Sequence, residues 1–245
     1  MKTILTAILC AMLPALACGG GAILVDQEIT SYISTSIPPN KNEGTISLWV
    51  KYTSIYNYNS LIANSAAGGN EWEAWVGVTG SLEFRTNADR SDTDVVTASG
   101  QFSVGTWYFI VLRWTTTAGS IYINIVSKGS VSTVGTRSTP ENLLLAGGNG
   151  NPGLDANIDE CLLHNQALSD SEVSAMYASG GAWYPKTGLV SRWSMENNGI
   201  STGIHYPDGS TVKDSAGSND GTVHNNADSS MSLTSSPTRQ KRGRR

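Results

Sequence analysis

The side chains best suited to chemistry in this chain are a cluster of aromatic rings set among polar groups. Tyr52, Tyr56, Tyr58, Trp72 and Trp75 lie close in sequence to Asn57, Asn59, Asn70, Glu71 and Glu73. An aromatic face flanked by a few oriented polar groups suits the apolar side and hydroxyl rim of a sugar ring. In an extended strand Glu71, Glu73 and Trp75 share one side, and Trp72 and Ala74 share the other. One tryptophan then belongs to a core, and Trp75 belongs to a face that can meet a ligand. Tyr56, Tyr58, Glu71, Glu73 and Trp75 are the candidate ligand-binding residues. Glu71 and Glu73 also form a carboxylate pair, and a retaining glycosidase needs two carboxyls ~5 Å apart. Asp159 and Glu160 are adjacent, so a regular strand points them to opposite faces. His164, His205 and His224 have no nucleophile at a recognisable spacing. No zinc-ligand pattern or phosphate-binding glycine loop occurs. The residues point to binding rather than catalysis.

These groups must be carried by strands. In Thr45-Ile46-Ser47-Leu48-Trp49-Val50-Lys51, Ile46, Leu48 and Val50 alternate with Ser47, Trp49 and Lys51. Glu71 to Val78 and Ser81 to Arg85 read as two strands joined at Thr79-Gly80. Trp107 to Trp114 is apolar on both faces and belongs in the middle of a sheet. Ile121, Ile123 and Ile125 alternate with Tyr122 and Asn124 in the next strand. Leu143 to Ala146 and Ile158 to His164 complete the set. One helix is predicted. Ser169-Asp170-Ser171-Glu172 is a capping box, Val173, Met176 and Tyr177 share a side, and Gly180-Gly181 stops it. Many short strands and one late helix predict an all-β fold, an antiparallel two-sheet jelly-roll sandwich with one short late helix.

Several segments together resemble the laminin G-like jelly-roll domains of the concanavalin A-like lectin/glucanase superfamily. Gly21-Ala22-Ile23-Leu24-Val25-Asp26 resembles the opening strand of that family, and Tyr32-Ile33 its next strand. Gly44 to Lys51 resembles its "F-T-I-S-x-W-V-K" strand. Gly105-Thr106-Trp107-Tyr108-Phe109-Ile110-Val111 and Ile121-Tyr122-Ile123-Asn124 follow in order. Asn157-Ile158-Asp159-Glu160, running into Asn165-Gln166-Ala167-Leu168-Ser169 and Glu172, is the most specific match. Gln27-Glu28, Thr30-Ser31 and Cys161 depart from the pattern. The resemblance implies a lectin-like sandwich, and a structural calcium ion held by Asp26 and Asp159. Calcium takes six to eight oxygen ligands, which carboxylates and carbonyls supply. Hydrolytic relatives resembling laminarinases carry an "E-x-D-x-x-E"-like motif that is missing here, so the chain is expected not to be an enzyme.

The ends differ from the middle. Lys2, the apolar run Ile4 to Leu16 and Ala15-Leu16-Ala17 read as a signal peptide over residues 1–17. Pro14 and Gly19-Gly20-Gly21 oppose a spanning helix, so no membrane span is expected in the mature chain. Cys18-Gly19-Gly20-Gly21 resembles a lipoprotein start, which makes Cys18 a candidate lipid anchor. Cys18 and Cys161 can form one bridge at most, and Cys161 reads as a small buried hydrophobe. Residues 18–181 form the sandwich. Residues 182–228 are either a partial second unit or a C-terminal strand docked on the first. Gly188 to Glu196 and Asp214 to Thr222 resemble family segments that normally precede the opening strand, and so few residues bury little core alone. Residues 229–245 read as a disordered tail, Ser/Thr-rich and then basic.

The formal net charge is −4, yet Arg239, Lys241, Arg242, Arg244 and Arg245 hold five of the 16 basic residues. The acidic remainder argues against a nucleic-acid surface. The sequence therefore describes a secreted or cell-surface binding module for carbohydrate or another extracellular ligand, such as a cell-surface protein. The alternative is a structural or adhesive domain of a surface or virion protein that binds no glycan.

Overall fold

A computed structural model describes residues 21–25, 32–56, 58–64, 72–85, 95–97, 99–131, 141–147, 154–195, 205–206, 208–224 and 231–235. Two antiparallel sheets pack face to face. The first sheet runs β10 (Val126–Val131), β9 (Gly119–Ile123), β8 (Trp107–Trp114), β3 (Gly44–Tyr52), β12 (Ala156–His164), β1 (Gly21–Val25), β17 (Met231–Ser235) and β14 (His205–Tyr206). A further strand, β13 (Leu189–Trp193), also pairs with β12. The second sheet runs β15 (Thr211–Val212), β16 (Gly221–His224), β2 (Tyr32–Ser34), β11 (Leu143–Leu145), β4 (Asn59–Asn64), β5 (Glu73–Val76), β6 (Leu82–Arg85) and β7 (Val95–Val96).

Alternation along each strand builds the core. Ile46, Leu48 and Val50 of β3, with Ile110 and Leu112 of β8, face the second sheet. Ile33, Ile62, Ala74, Val76, Phe84, Leu143, Leu145 and Val223 answer them from that sheet. Trp114 anchors the layer, edge-on to Trp72 with ring centroids 4.9 Å apart. Gly44 opens β3 directly against the Trp114 ring, where any Cβ would collide. β8 lies between β9 and β3, inside its sheet as its two apolar faces require.

The opposite face of the first sheet is covered by the helix. Trp49, Phe109, Val111, Tyr122 and Leu162 point outward and meet Val173 and Met176 of α1 (Asp170–Ala178). Tyr177 stacks on Trp49 at 5.6 Å. Ser169 is the N-cap, and both halves of its capping box form. Gly180 and Gly181 take positive φ just past the helix end. A helix this short is marginal alone. Burying Val173 and Met176 stabilises it by roughly 1.5–3 kcal/mol per side chain.

Three local expectations shift. The strand read through Ile125 stops at Ile123, because Asn124 adopts φ 59 and turns the chain, leaving Ile125 52% exposed. At Asp159–Glu160 strict alternation fails. Glu160 has φ 48 and the register with β3 shifts between Asp159 and Leu162, so both carboxylates are buried. Such a bulge re-aims side chains that a regular strand would oppose. Met231–Ser235, inside the segment read as a disordered tail, pairs with β1 as β17. Unpaired strand edges expose backbone donors and acceptors, and β17 satisfies the open edge of β1.

Residues beyond the helix enter both sheets. β13 pairs with Cys161–His164, and β16 pairs with Tyr32–Ser34. Gly221 permits the second contact, since a Cβ there would press on Ile33. Arg192 gives two hydrogen bonds to the buried Glu160 carboxylate, from Nε at 2.8 Å and from Nη2 at 2.5 Å. Trp193 is fully buried in the inter-sheet core.

Candidate functional site

Among the described residues no helix covers one broad face, the outer side of the second sheet. β5 places its residues there by simple alternation. Ala74 and Val76 enter the core, so Glu73 and Trp75 point outward. Trp72, just before the strand, is fully buried in the core, as the sequence requires of one tryptophan of the pair.

Trp75 sits in a layered arrangement. The Arg85 guanidinium lies over its ring at 4.9 Å, and Tyr58 is tilted against it at 6.4 Å. These neighbours leave Trp75 only 5% exposed. The open rings are Tyr58 and Tyr56, at 47% and 44%. Tyr58 holds φ 64, a left-handed turn that lifts its side chain from the sheet. The Asn59 amide fastens this turn, donating to Tyr56 O at 2.6 Å. Glu73 faces Arg85 in register and Glu83 faces Trp75. Two exposed phenols thus stand over a buried indole, with one cationic and two acidic side chains alongside. That set can stack on a sugar ring and hydrogen-bond its hydroxyls. The structure brings Tyr58, Glu73 and Trp75 together, with Tyr56 in the adjoining loop. Glu71 lies outside the described residues. Arg85 and Glu83 escaped the sequence reading, although their i, i+2 spacing on the paired strand marks them as neighbours of β5.

The expected metal residues divide. Asp159 is 1% exposed, and its Oδ1 accepts the Glu160 N–H at 2.8 Å. Asp26 lies outside the described residues. β1 runs antiparallel to β12 with Val25 opposite Ala156. Among the described residues no three His, Cys, Asp or Glu side chains gather as a metal cluster.

Cys161 is buried, and burial, with the Glu160 charge beside it, pushes its thiol up to about 12. It is a packed hydrophobe rather than a nucleophile. His164 is fully buried and donates from Nε2 to Pro185 O at 3.0 Å. Burial lowers its pKa, which keeps it neutral. His224 differs. Ser34 Oγ lies 2.8 Å from its Nε2, across 190 residues of sequence. No spacing rule could have found that contact.

A cavity of about 520 Å³ opens elsewhere, beside the N-terminus of α1, with Arg113, Thr115, Ser120, Ser130 and Ser169 in its wall. Arg113 is already committed there. It bonds Leu168 O and Asp170, and it also reaches Tyr122 and Ser120.

Two antiparallel sheets, one backed by a helix and the other presenting an aromatic and polar face, define a lectin-like jelly-roll sandwich. The model of the laminin G-like family, described as the concanavalin A-like lectin/glucanases superfamily, matches residues 26–174, and the chain belongs to this family. Among solved structures, the chain is similar to a candidate carbohydrate-binding protein from Bacteroides ovatus. The TM-score is 0.65 at 12% identity, over 89% of this chain and 60% of that one. The chain therefore spans less than two thirds of that protein's length. It is also similar to a heptameric SAP-like pentraxin from Limulus polyphemus, with a TM-score of 0.53 at 14% identity over 66% of this chain and 84% of that one. At such identities the likeness concerns the fold. No curated protein sequence matches the chain.

Proposed function

We propose that the protein is a secreted or cell-surface module that binds carbohydrate through the outer face of its second sheet, at Tyr56, Tyr58 and Arg85, above the buried Trp75 and Glu73. The observation that carries this reading is the pairing of exposed Tyr56 and Tyr58 with a buried Trp75 that is already stacked on Arg85. Exposed aromatic rings cost solvation unless something covers them, and their polar rim suits a hydroxylated partner better than a purely apolar one. The family and the Bacteroides ovatus likeness favour the same class of ligand. Among the described residues no helix is long and apolar enough to cross a membrane. The reading contains no catalytic step, and Glu73 is set opposite Arg85 in a buried position rather than in an open cleft.

A glycan array tests the proposal. The expected outcome is selective binding that falls up to about tenfold in Tyr58→Ala, which removes an exposed ring worth about 0.5–1.5 kcal/mol, and also falls in Trp75→Ala, which removes the support beneath Tyr58 and Arg85. A protein that binds no glycan is instead the structural or adhesive domain. A glycan that is cleaved during the assay overturns the non-catalytic part.

Calcium belongs to the proposal as a structural ion on Asp26 and Asp159. Asp159 brings a carboxylate on β12, and carboxylate oxygens are ligands that calcium takes. The melting temperature should rise in calcium relative to chelator, and an unchanged value removes the ion.

A further inference from the structure

The same outer face carries a second aromatic group, on the flank away from Trp75. On β2, Ile33 enters the core, so Tyr32 and Ser34 point outward. On β16, Val223 enters the core, so Thr222 and His224 point outward. The Tyr32 and His224 rings stack with centroids 4.6 Å apart and planes 20° apart. Ser34 Oγ holds the imidazole edge at Nε2, 2.8 Å away. The ring is thus fixed by its face and by one nitrogen. Tyr32, Ser34 and His224 all remain half-buried. Among the described residues neither Tyr32 Oη nor His224 Nδ1 makes a hydrogen bond.

Strand register relates this pair to Trp75. Ile33 faces Leu145, Leu145 faces Ile62, and Ile62 faces Ala74. Tyr32 and Trp75 each lie one residue beyond that row, in the same direction. Three strand spacings separate them, about 14 Å at ~4.8 Å per strand. The outward-facing residues between the two groups are covered: Ser60, opposite Trp75, is 0% exposed, and Ala63 and Leu144, in the row of Glu73 and Ser34, are 0% and 4% exposed. The two aromatic groups are therefore separate places on one face rather than halves of one open groove.

The chemistry of the second place is selective. β2 and β16 carry no Lys, Arg, Asp or Glu. Nothing on these strands would attract an anion or a cation. A rigid aromatic edge with a phenol and an imidazole nitrogen to spare fits an uncharged, hydroxyl-rich ring. We propose that Tyr32, Ser34 and His224 form a second carbohydrate site, taking one ring of a neutral sugar, with His224 Nδ1 and Tyr32 Oη bonding its hydroxyls. This rests on the carbohydrate reading of the face, and it makes each chain bivalent. The site exists only because the segment after the helix returns to pair with β2.

Isothermal titration calorimetry on the full chain, with a panel of neutral gluco-, manno- and xylo-oligosaccharides, tests it. The wild type should bind two equivalents per chain. Tyr32→Ala and His224→Ala should each leave one, and Trp75→Ala should remove the other. His224→Phe keeps the ring stack and the fold but loses the ring nitrogens. It should weaken the second equivalent about tenfold, the effect of one lost hydrogen bond. A single wild-type equivalent that Trp75→Ala abolishes and both His224 variants preserve overturns the second site and leaves the proposed function standing. No heat with any sugar overturns both.

Discussion

Asp214 shows how much one side chain organises. Its carboxylate accepts the backbone N–H groups of Arg192 and Ala216 at 2.9 Å and of Asn219 at 3.1 Å. Its own N–H goes to Asp220 Oδ1 at 2.9 Å. Burial pushes the Asp214 pKa up, the backbone donors outweigh burial, and the net position is below the usual carboxylate range. A pKa lowered on folding gives stability that is present above the unfolded value and lost as pH falls through the folded one. Urea midpoints should therefore decline below about pH 4. Asp214→Asn should be less stable at neutral pH, because its amide turns N–H groups toward N–H groups, and should lose part of that acid decline. An identical acid limb in the variant would assign the decline to other carboxylates. At this scale the sequence was legible where neighbours in the chain decide, as for Trp72, just before β5, and Trp75 within it, which point to opposite sides. It was not legible for Ser34 and His224, whose contact spans 190 residues.

At the level of elements, local chemistry explains most boundaries. β3 matches its apolar alternation, β8 its two apolar faces, and α1 begins at its capping box. In that box the Ser169 hydroxyl accepts the Glu172 N–H while Glu172 Oε2 accepts the Ser169 N–H at 2.8 Å. Both donors lack helical partners, so their satisfaction defines where the helix starts. Ser169→Ala should lower stability by about 1 kcal/mol in denaturant titration, with little change in the apolar packing of Val173 and Met176. A loss several times larger would mean that the cap also holds the Arg113–Leu168 neighbourhood in place. Legibility fails where a single backbone angle breaks a pattern. Asn124 ends β9 and Glu160 interrupts β12, and in both a non-glycine residue takes a left-handed conformation that tertiary contacts sustain.

Taken whole, the sandwich is assembled from distant parts of the chain. Strands after residue 188 enter both sheets, and Trp193, Val212 and Val223 sit in the inter-sheet core. Arg192 bonds Glu160 at 1% exposure, and a buried carboxylate left without its partner is costly, roughly 3–5 kcal/mol. A protein ending at Thr187 should therefore fail to reach a cooperative fold, seen as loss of near-ultraviolet dichroism and of a thermal transition. Limited proteolysis near Pro185–Lys186 of the full chain should leave the two fragments associated. A stable, cooperatively melting 1–187 protein would show that the later strands are dispensable.

That Glu73 and Trp75 share one face of their strand, with Trp72 and Ala74 on the other, followed from the sequence by itself. Alternation, turns and caps operate within a few residues, so Trp75 could be placed on a face, and α1 bounded, without knowing any partner. What lies on that face beyond β5 was decided only by the tertiary structure. Strand edges are chemically alike, and long-range packing selects which ones pair. β16 chose β2, and with it His224 met Tyr32 and Ser34. Packing also decided that Trp75 would be covered by Arg85, leaving Tyr56 and Tyr58 as the rings that meet solvent.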